Sequence, residues 1–183
     1  KIIEINGLQK YDQMVMEEWN SEKKEKVSEY EQKHYSFPVK RDEFMFVTSP
    51  FGMRADPTTV ESGQVMHKGI DIRCNKDEVL ATENNGKVVA VNQNINAPGG
   101  KSITVEYERE DGSKIQNVYM HLSVIDVKLG DTVQAGQKLG VSGNTGTRTT
   151  GEHLHFAVTQ ITADGSKRDV DPAIYLAEIA EKG

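Results

Sequence analysis

Hydrophobic and polar positions divide the chain into two textures. From about Leu8 to Tyr35 there is no Gly or Pro, and Glu, Lys and Gln are dense, a composition that favours helix. Leu8, Tyr11, Val15 and Trp19 recur at helical spacing and predict one apolar stripe. Asn20–Lys33 is almost wholly polar, with Val27 and Tyr30 as its anchors, and Lys1–Ile5 alternates enough to form a short strand. From Phe37 the pattern shortens to β-rich runs separated by Gly, Asn and Asp: Met45–Val47, Gly69–Arg73, Lys87–Val91, Ser102–Glu108, Gln116–His121, Lys138–Val141 and His153–Gln160. Asp111-Gly112 and Asp164-Gly165 fall where hairpins would turn. In Val127–Gly140, two Gly-centred turns flank a short strand. Asp171-Pro172 opens a terminal helix, Pro172–Ala180, with Pro in its first turn.

Runs this short and regular leave no room for βαβ crossovers. The expected architecture is mainly β, an antiparallel sheet or sandwich with a groove. A strand-and-helix extension or linker over residues 1–40 precedes it, and the domain proper spans 41–183 with its short C-terminal helix. The 183 residues suit one domain with an appendage, and 36% hydrophobic against 27% charged residues supply one core without implying disorder. A net charge of −6 argues against nucleic acid as a partner. No apolar run approaches the roughly 20 residues of a membrane span. The chain opens on Lys1 without Met or a leader, which reads as a mature or trimmed chain. Nothing in the sequence sets an oligomeric state. Cys74 is the single cysteine, so no internal disulfide forms, and strand parity turns it away from Asp71 into the core.

Four of the five histidines, His67, His121, His153 and His155, lie in the β-rich part. In His153-Leu-His155 a strand places both imidazoles on one face and Leu154 on the other. One ring can bind a metal while its neighbour stays free for proton chemistry. His67-Lys-Gly-Ile-Asp71 adds an imidazole and a carboxylate, with Gly69 allowing a sharp turn between them. Two His and one Asp would leave a fourth tetrahedral position for water, as a hydrolytic zinc site requires. Taken singly these residues have ordinary readings: Asp71 as a turn or cap, His121 as a satisfied semi-buried ring. The His-Glu-x-x-His helix of thermolysin-type sites is absent.

Ser49-Pro-Phe-Gly-Met-Arg54, His67-Lys-Gly-Ile-Asp71, Tyr119-Met-His-Leu-Ser123, Gly130-Asp-Thr-Val, Gly136-Gln-Lys-Leu-Gly140, Ser142-Gly-Asn-Thr-Gly146, Gly151-Glu-His-Leu-His-Phe156, Val170-Asp-Pro172 and Tyr175-Leu176 follow in order. This run resembles the lysostaphin/LytM-type zinc metallopeptidases over about Phe44–Leu176. The resemblance implies an extracytoplasmic endopeptidase that hydrolyses peptide bonds of peptidoglycan, in cross-links or stem peptides. It implies His67, Asp71 and His155 as zinc ligands and His121 and His153 as the catalytic pair, with Arg54 supporting the site or touching substrate. Residues 1–40 fall outside it and could link, dock or cover the groove. Three departures stand out: Ala157 replaces the Glu usual after His-Leu-His-Phe, Cys74–Glu78 lacks the common Gly-Thr-Pro turn, and Asn92–Lys101 lacks the usual Gly-Tyr-Gly pattern.

The alternative is a non-catalytic LytM-type module that binds cell wall or activates another hydrolase. All five site positions are filled here, which favours the enzyme. The Gly130–Gly140 hairpin is also reminiscent of lipoyl and biotin carriers, but no modifiable Lys sits in their short motif. A cysteine hydrolase would need a base and positive surroundings for Cys74.

Overall fold

The computed structural model describes residues 34–40, 45–55 and 64–182. The expected N-terminal strand and helix, Lys1–Ile5 and Leu8–Tyr35, lie outside the described residues except for His34 and Tyr35. One compact unit runs from His34 to Gly183. Tyr35 and Val39 bridge to Glu83 and Val79, and Val39 is buried in the core, so this unit takes in residues ahead of the expected start at 41.

The architecture is mainly antiparallel β, as expected. Among the described residues the strands are β1 (Val47–Ser49), β2 (Gly52–Ala55), β3 (Gln64–His67), β4 (Gly69–Arg73), β5 (Glu78–Leu80), β6 (Gly86–Asn92), β7 (Lys101–Glu108), β8 (Lys114–Ile125), β9 (Thr132–Val133), β10 (Lys138–Ser142), β11 (His153–Ile161) and β12 (Lys167–Val170). Helix α1 (Pro172–Lys182) closes the chain, two residues longer than predicted. The main sheet runs β1-β4-β11-β8-β7-β6-β9; β10 joins β5 and β8, β12 extends from β11, and β2 and β3 form a separate hairpin. No helix among the described residues is long and apolar enough to cross a membrane.

Alternation decides the faces. Ile70 and Ile72 of β4, Leu154, Phe156 and Val158 of β11, Tyr119 of β8 and Ile103, Val105 and Tyr107 of β7 are all buried. Pairings such as Leu154 opposite Ile72, Phe156 opposite Ile70 and Tyr119 opposite Ile103 keep them on one side. Phe156 and Tyr119 pack edge to face with centroids 5.2 Å apart. The opposite face of the same strands is thereby freed for polar chemistry. Cys74 ends the β4 run just beyond Arg73, buried with the core, which removes it from any nucleophilic role. The turns at Gly112 (φ 85) and Gly165 (φ 88), and those at Gly130 (φ 91) and Gly136 (φ 82), occupy the left-handed region and fall where the sequence places them.

A polar network ties α1 to the sheet. Arg109 grips Glu83 with two bonds, Nη1 to Oε1 at 2.6 Å and Nη2 to Oε2 at 3.0 Å, and Tyr175 of α1 donates its hydroxyl to the same carboxylate. Burial, reinforced by Glu83, pushes the Tyr175 phenol up and keeps it a donor. Glu83→Ala is expected to destabilise the fold by about 2–3 kcal/mol, since it strands a half-buried guanidinium and a buried phenol. Urea denaturation checks this.

Candidate active site

On the face opposite the core, β4 and β11 pair Asp71 directly with His155. β3 ends at His67, with only Lys68 between it and β4, and delivers the third side chain. His67 Nε2, His155 Nδ1 and Asp71 Oδ1 form a near-equilateral triangle: 3.2 Å between the two rings, 3.1 Å from His155 to Asp71 and 3.2 Å from His67 to Asp71. They form a group able to hold a metal ion. Tetrahedral zinc with bonds of about 2.0–2.1 Å separates its ligand atoms by about 3.3 Å, so the three donors fit the face of such a tetrahedron.

The tautomers agree with the fit. His67 Nδ1 lies 2.8 Å from the Pro50 carbonyl. A carbonyl only accepts, so Nδ1 carries the proton and Nε2 turns its lone pair to the centre. Burial opposes ionisation of Asp71, but when the rings are protonated the hydrogen bonds that His155 and His67 donate, together with the charges His67 and His153 then carry, outweigh it and hold the carboxyl well below the usual carboxylate range; a bound cation would take the place of those protons.

Gly69 has a different role from the one expected. Its φ is not among the left-handed values, so it is not there to make a turn. A Cβ at Gly69 would lie 2.8 Å from Cε1 and Nε2 of His155 and 2.6 Å from the Phe156 carbonyl oxygen. The missing side chain is the room in which the His155 ring lies. Gly69→Ala is expected to weaken zinc binding by about 10- to 100-fold with the sheet retained, read by competition with a chromophoric chelator.

His121 and His153 stand beside the triangle, their rings 4.8 Å apart. His153 Nε2 is 3.6 Å from Asp71 Oδ1. His153 Nδ1 bonds the Gly151 carbonyl and His121 Nδ1 the Thr145 carbonyl, each at 2.7 Å. By the same tautomer argument each neutral ring turns a bare Nε2 away from its carbonyl partner. Burial pushes the His121 imidazole down to about 4, although the Thr145 bond and Asp71 act the other way.

Strand parity alone would turn His121 onto the core face with Tyr119. β7 pairs Lys101 with Leu122 but Ile103 with Tyr119, so β8 carries one extra residue between those pairs. At this bulge His121 adopts φ 63 and swings to the side of Met120, which itself pairs with His155. The bulge is held by Thr145. Its carbonyl fixes the His121 ring, its hydroxyl donates to the Leu122 carbonyl at 2.6 Å, and it accepts from the Lys101 amide at 3.0 Å. Such approach requires Gly100 (φ 62), where a Cβ would lie 2.3 Å from the Thr145 carbonyl carbon. Sequence reasoning gave Thr145 and Gly100 no role of their own; Thr145 appears there only within Ser142-Gly-Asn-Thr-Gly146 and Gly100 only within the Asn92–Lys101 segment.

These groups line a cleft of about 350 Å³ whose walls include Val65, Met66, Pro98, Met120 and Arg148. Of the departures from the family pattern, the Asn92–Lys101 loop lines it through Pro98 and Gly99, while no residue of 74–78 does. Ala157 pairs with Gly69 and brings no polar atom beside the site. Arg54 belongs to β2, and its side chain lies outside the described residues.

The sequence model of Peptidase family M23 matches residues 65–172. Lysostaphin of Staphylococcus simulans is 37% identical over 106 residues, 58% of this chain and 20% of its own length. The peptidoglycan DD-endopeptidase ShyA of Vibrio cholerae is 37% identical over 90 residues, 49% of this chain and 19% of its own length. A glycyl-glycine endopeptidase of Staphylococcus capitis is 36% identical over 106 residues, 58% of this chain and 27% of its own length. The chain thus spans about a fifth to a quarter of these curated relatives. Among solved structures, the lysostaphin catalytic domain of S. simulans superposes with a TM-score of 0.56 at 33% identity, covering 73% of this chain and 92% of that one. A zinc-containing peptidase from V. cholerae gives 0.58 at 32% identity, covering 76% and 39%.

Proposed function

The chain belongs to peptidase family M23, and from that premise we propose that it is a zinc-dependent endopeptidase that hydrolyses peptide bonds of bacterial peptidoglycan outside the cytoplasm. The observation that carries the reading is the triangle of His67 Nε2, Asp71 Oδ1 and His155 Nδ1, with sides of 3.1–3.2 Å, flanked by two further imidazoles. The relatives named for glycyl-glycine and DD-endopeptidase activity support peptidoglycan as the substrate. In this reading the compact unit from His34 onward is the peptidase domain and the residues before it an extension.

His67, Asp71 and His155 would hold the zinc, whose Lewis acidity supplies a polarised carbonyl and an activated water at neutral pH. The chain's own contribution is orientation and proton transfer. The Thr145 and Gly151 carbonyls lock His121 and His153 with Nδ1 protonated, so each Nε2 is able to accept a proton. Once protonated, that nitrogen can return the proton to the leaving amine or donate it to the developing oxyanion.

Digestion of purified cell wall, with products identified by mass, tests the proposal. Release of new peptide amino termini, lost to a chelator and restored by zinc, is the expected result. Intact wall after incubation with the zinc-loaded protein would leave the second reading, a wall-binding module.

A further inference from the structure

We propose that Thr149 is a positioning residue for His153, an inference that rests on the hydrolase reading above. His153 keeps a bare Nε2 only while its Nδ1 proton stays on the Gly151 carbonyl, 2.7 Å away. Asp71 Oδ1, 3.6 Å from Nε2, draws the proton to the opposite nitrogen. A neutral ring in that other tautomer has no lone pair on Nε2 and accepts no proton there. The aim of one carbonyl therefore decides whether His153 can serve as a base.

Packing does little to fix Gly151. A Cβ there would meet no atom within 4 Å beyond its chain neighbours, so hydrogen bonds must hold its peptide planes. A carbonyl oxygen has two lone pairs. One takes the His153 proton, and the Thr149 hydroxyl approaches the same oxygen at 3.1 Å. The Gly151 amide closes onto Thr149 Oγ1 at 3.5 Å. The hydroxyl is itself anchored, sharing its proton with Asn144 Oδ1 at 2.6 Å in a three-centre bond. Asn144 stands next to Gly143, whose carbonyl accepts from the His153 amide at 3.3 Å and closes the loop at its base. Thr149 thus does for His153 what Thr145 does for His121, by another route: Thr145 offers its own carbonyl, whereas Thr149 steadies a neighbour's. Thr149 also lines the cleft, so a direct contact with substrate is the rival role, and the two predict different kinetics.

Measurements on the zinc-loaded full chain separate them. Thr149→Val keeps the side-chain shape and removes the hydroxyl. It is expected to lower kcat on a defined cross-linked peptide about 5- to 10-fold, with KM changed by less than about twofold and zinc content unchanged. Thr149→Ser should restore kcat to within about twofold. In a His153→Ala background the Thr149→Val loss should vanish, because no ring is left to aim. Nitrogen-15 spectra of labelled histidine give a readout independent of turnover. The His153 ring, assigned by its disappearance in His153→Ala, should pass from the Nδ1–H form to a mixture with Nε2–H in Thr149→Val, while His121 keeps its form. A loss that falls on KM, survives in the His153→Ala background or resists rescue by serine would overturn the positioning role and leave the hydrolase intact, as would a His153 tautomer that Thr149→Val does not move. If the unaltered protein cuts no wall but the tautomer shifts as described, the hydrolase reading falls and the hold of Thr149 on His153 stands.

Discussion

Replacing Asp71 with alanine is expected to abolish stoichiometric zinc binding and to lower peptidoglycan hydrolysis by more than about 10³-fold, beyond what loss of one oxyanion donor costs an enzyme. Asp71 is the centre of the constellation. Its Oδ1 lies 3.2 Å from His67, 3.1 Å from His155 and 3.6 Å from His153, and it brings the only negative charge among the three proposed ligands. Without it, two imidazoles remain, which neither neutralise a dication nor complete three protein ligands. The backbone of β4 should not change, because Ile70 and Ile72 on its other face remain packed in the core. Metal content by atomic emission and far-UV circular dichroism, measured on one preparation, separate loss of the ion from loss of the fold. An Asp71→Ala protein that kept one zinc per chain and full turnover would remove the basis for the site.

What the sequence made legible, and what it concealed, follows from how each feature is encoded. The β4 and β11 strands were readable because period-two alternation is local, and it puts Leu154 on one face and His153 and His155 on the other; their pairing, which sets Asp71 opposite His155, comes from the structure. The turns at Gly112, Gly130, Gly136 and Gly165 were readable because left-handed backbone selects Gly. The β2–β3 hairpin was missed, and with it the fact that His67 closes a strand of its own. β5 was also missed, being three residues long. The purpose of Gly69 depends on a ring 86 positions further along the chain, and no local rule contains that. The bulge at His121 is of the same kind. Alternation alone would place His121 in the core beside Tyr119, and only pairing with β7 and the grip of Thr145 turn it out. The family resemblance assigned His121 to the site without supplying that physical reason.

For the histidine pair the expected signature is the reverse of the Asp71 one: zinc retained, turnover lost. His121→Ala and His153→Ala should each keep close to one zinc per chain, because neither contributes an atom to the triangle. Each should lower kcat by about 10²- to 10⁴-fold, the usual worth of a positioned proton-transfer group, with KM changed far less. The two losses should not add. If the rings serve one proton path, the first substitution already breaks it, and the double variant should fall little below the weaker single one. Additive losses would instead show two independent contributions, such as one ring on the proton and one on the oxyanion. The result depends on geometry the structure shows. The rings sit 4.8 Å apart, close enough to serve the same reacting centre, and each is tied through Nδ1 to a separate loop carbonyl. Removing one ring therefore leaves the other oriented, and the residual rate reads its contribution directly. Zinc content, kcat and KM on a defined cross-linked peptide, measured for the two single variants and the double, decide between a shared path and separate roles.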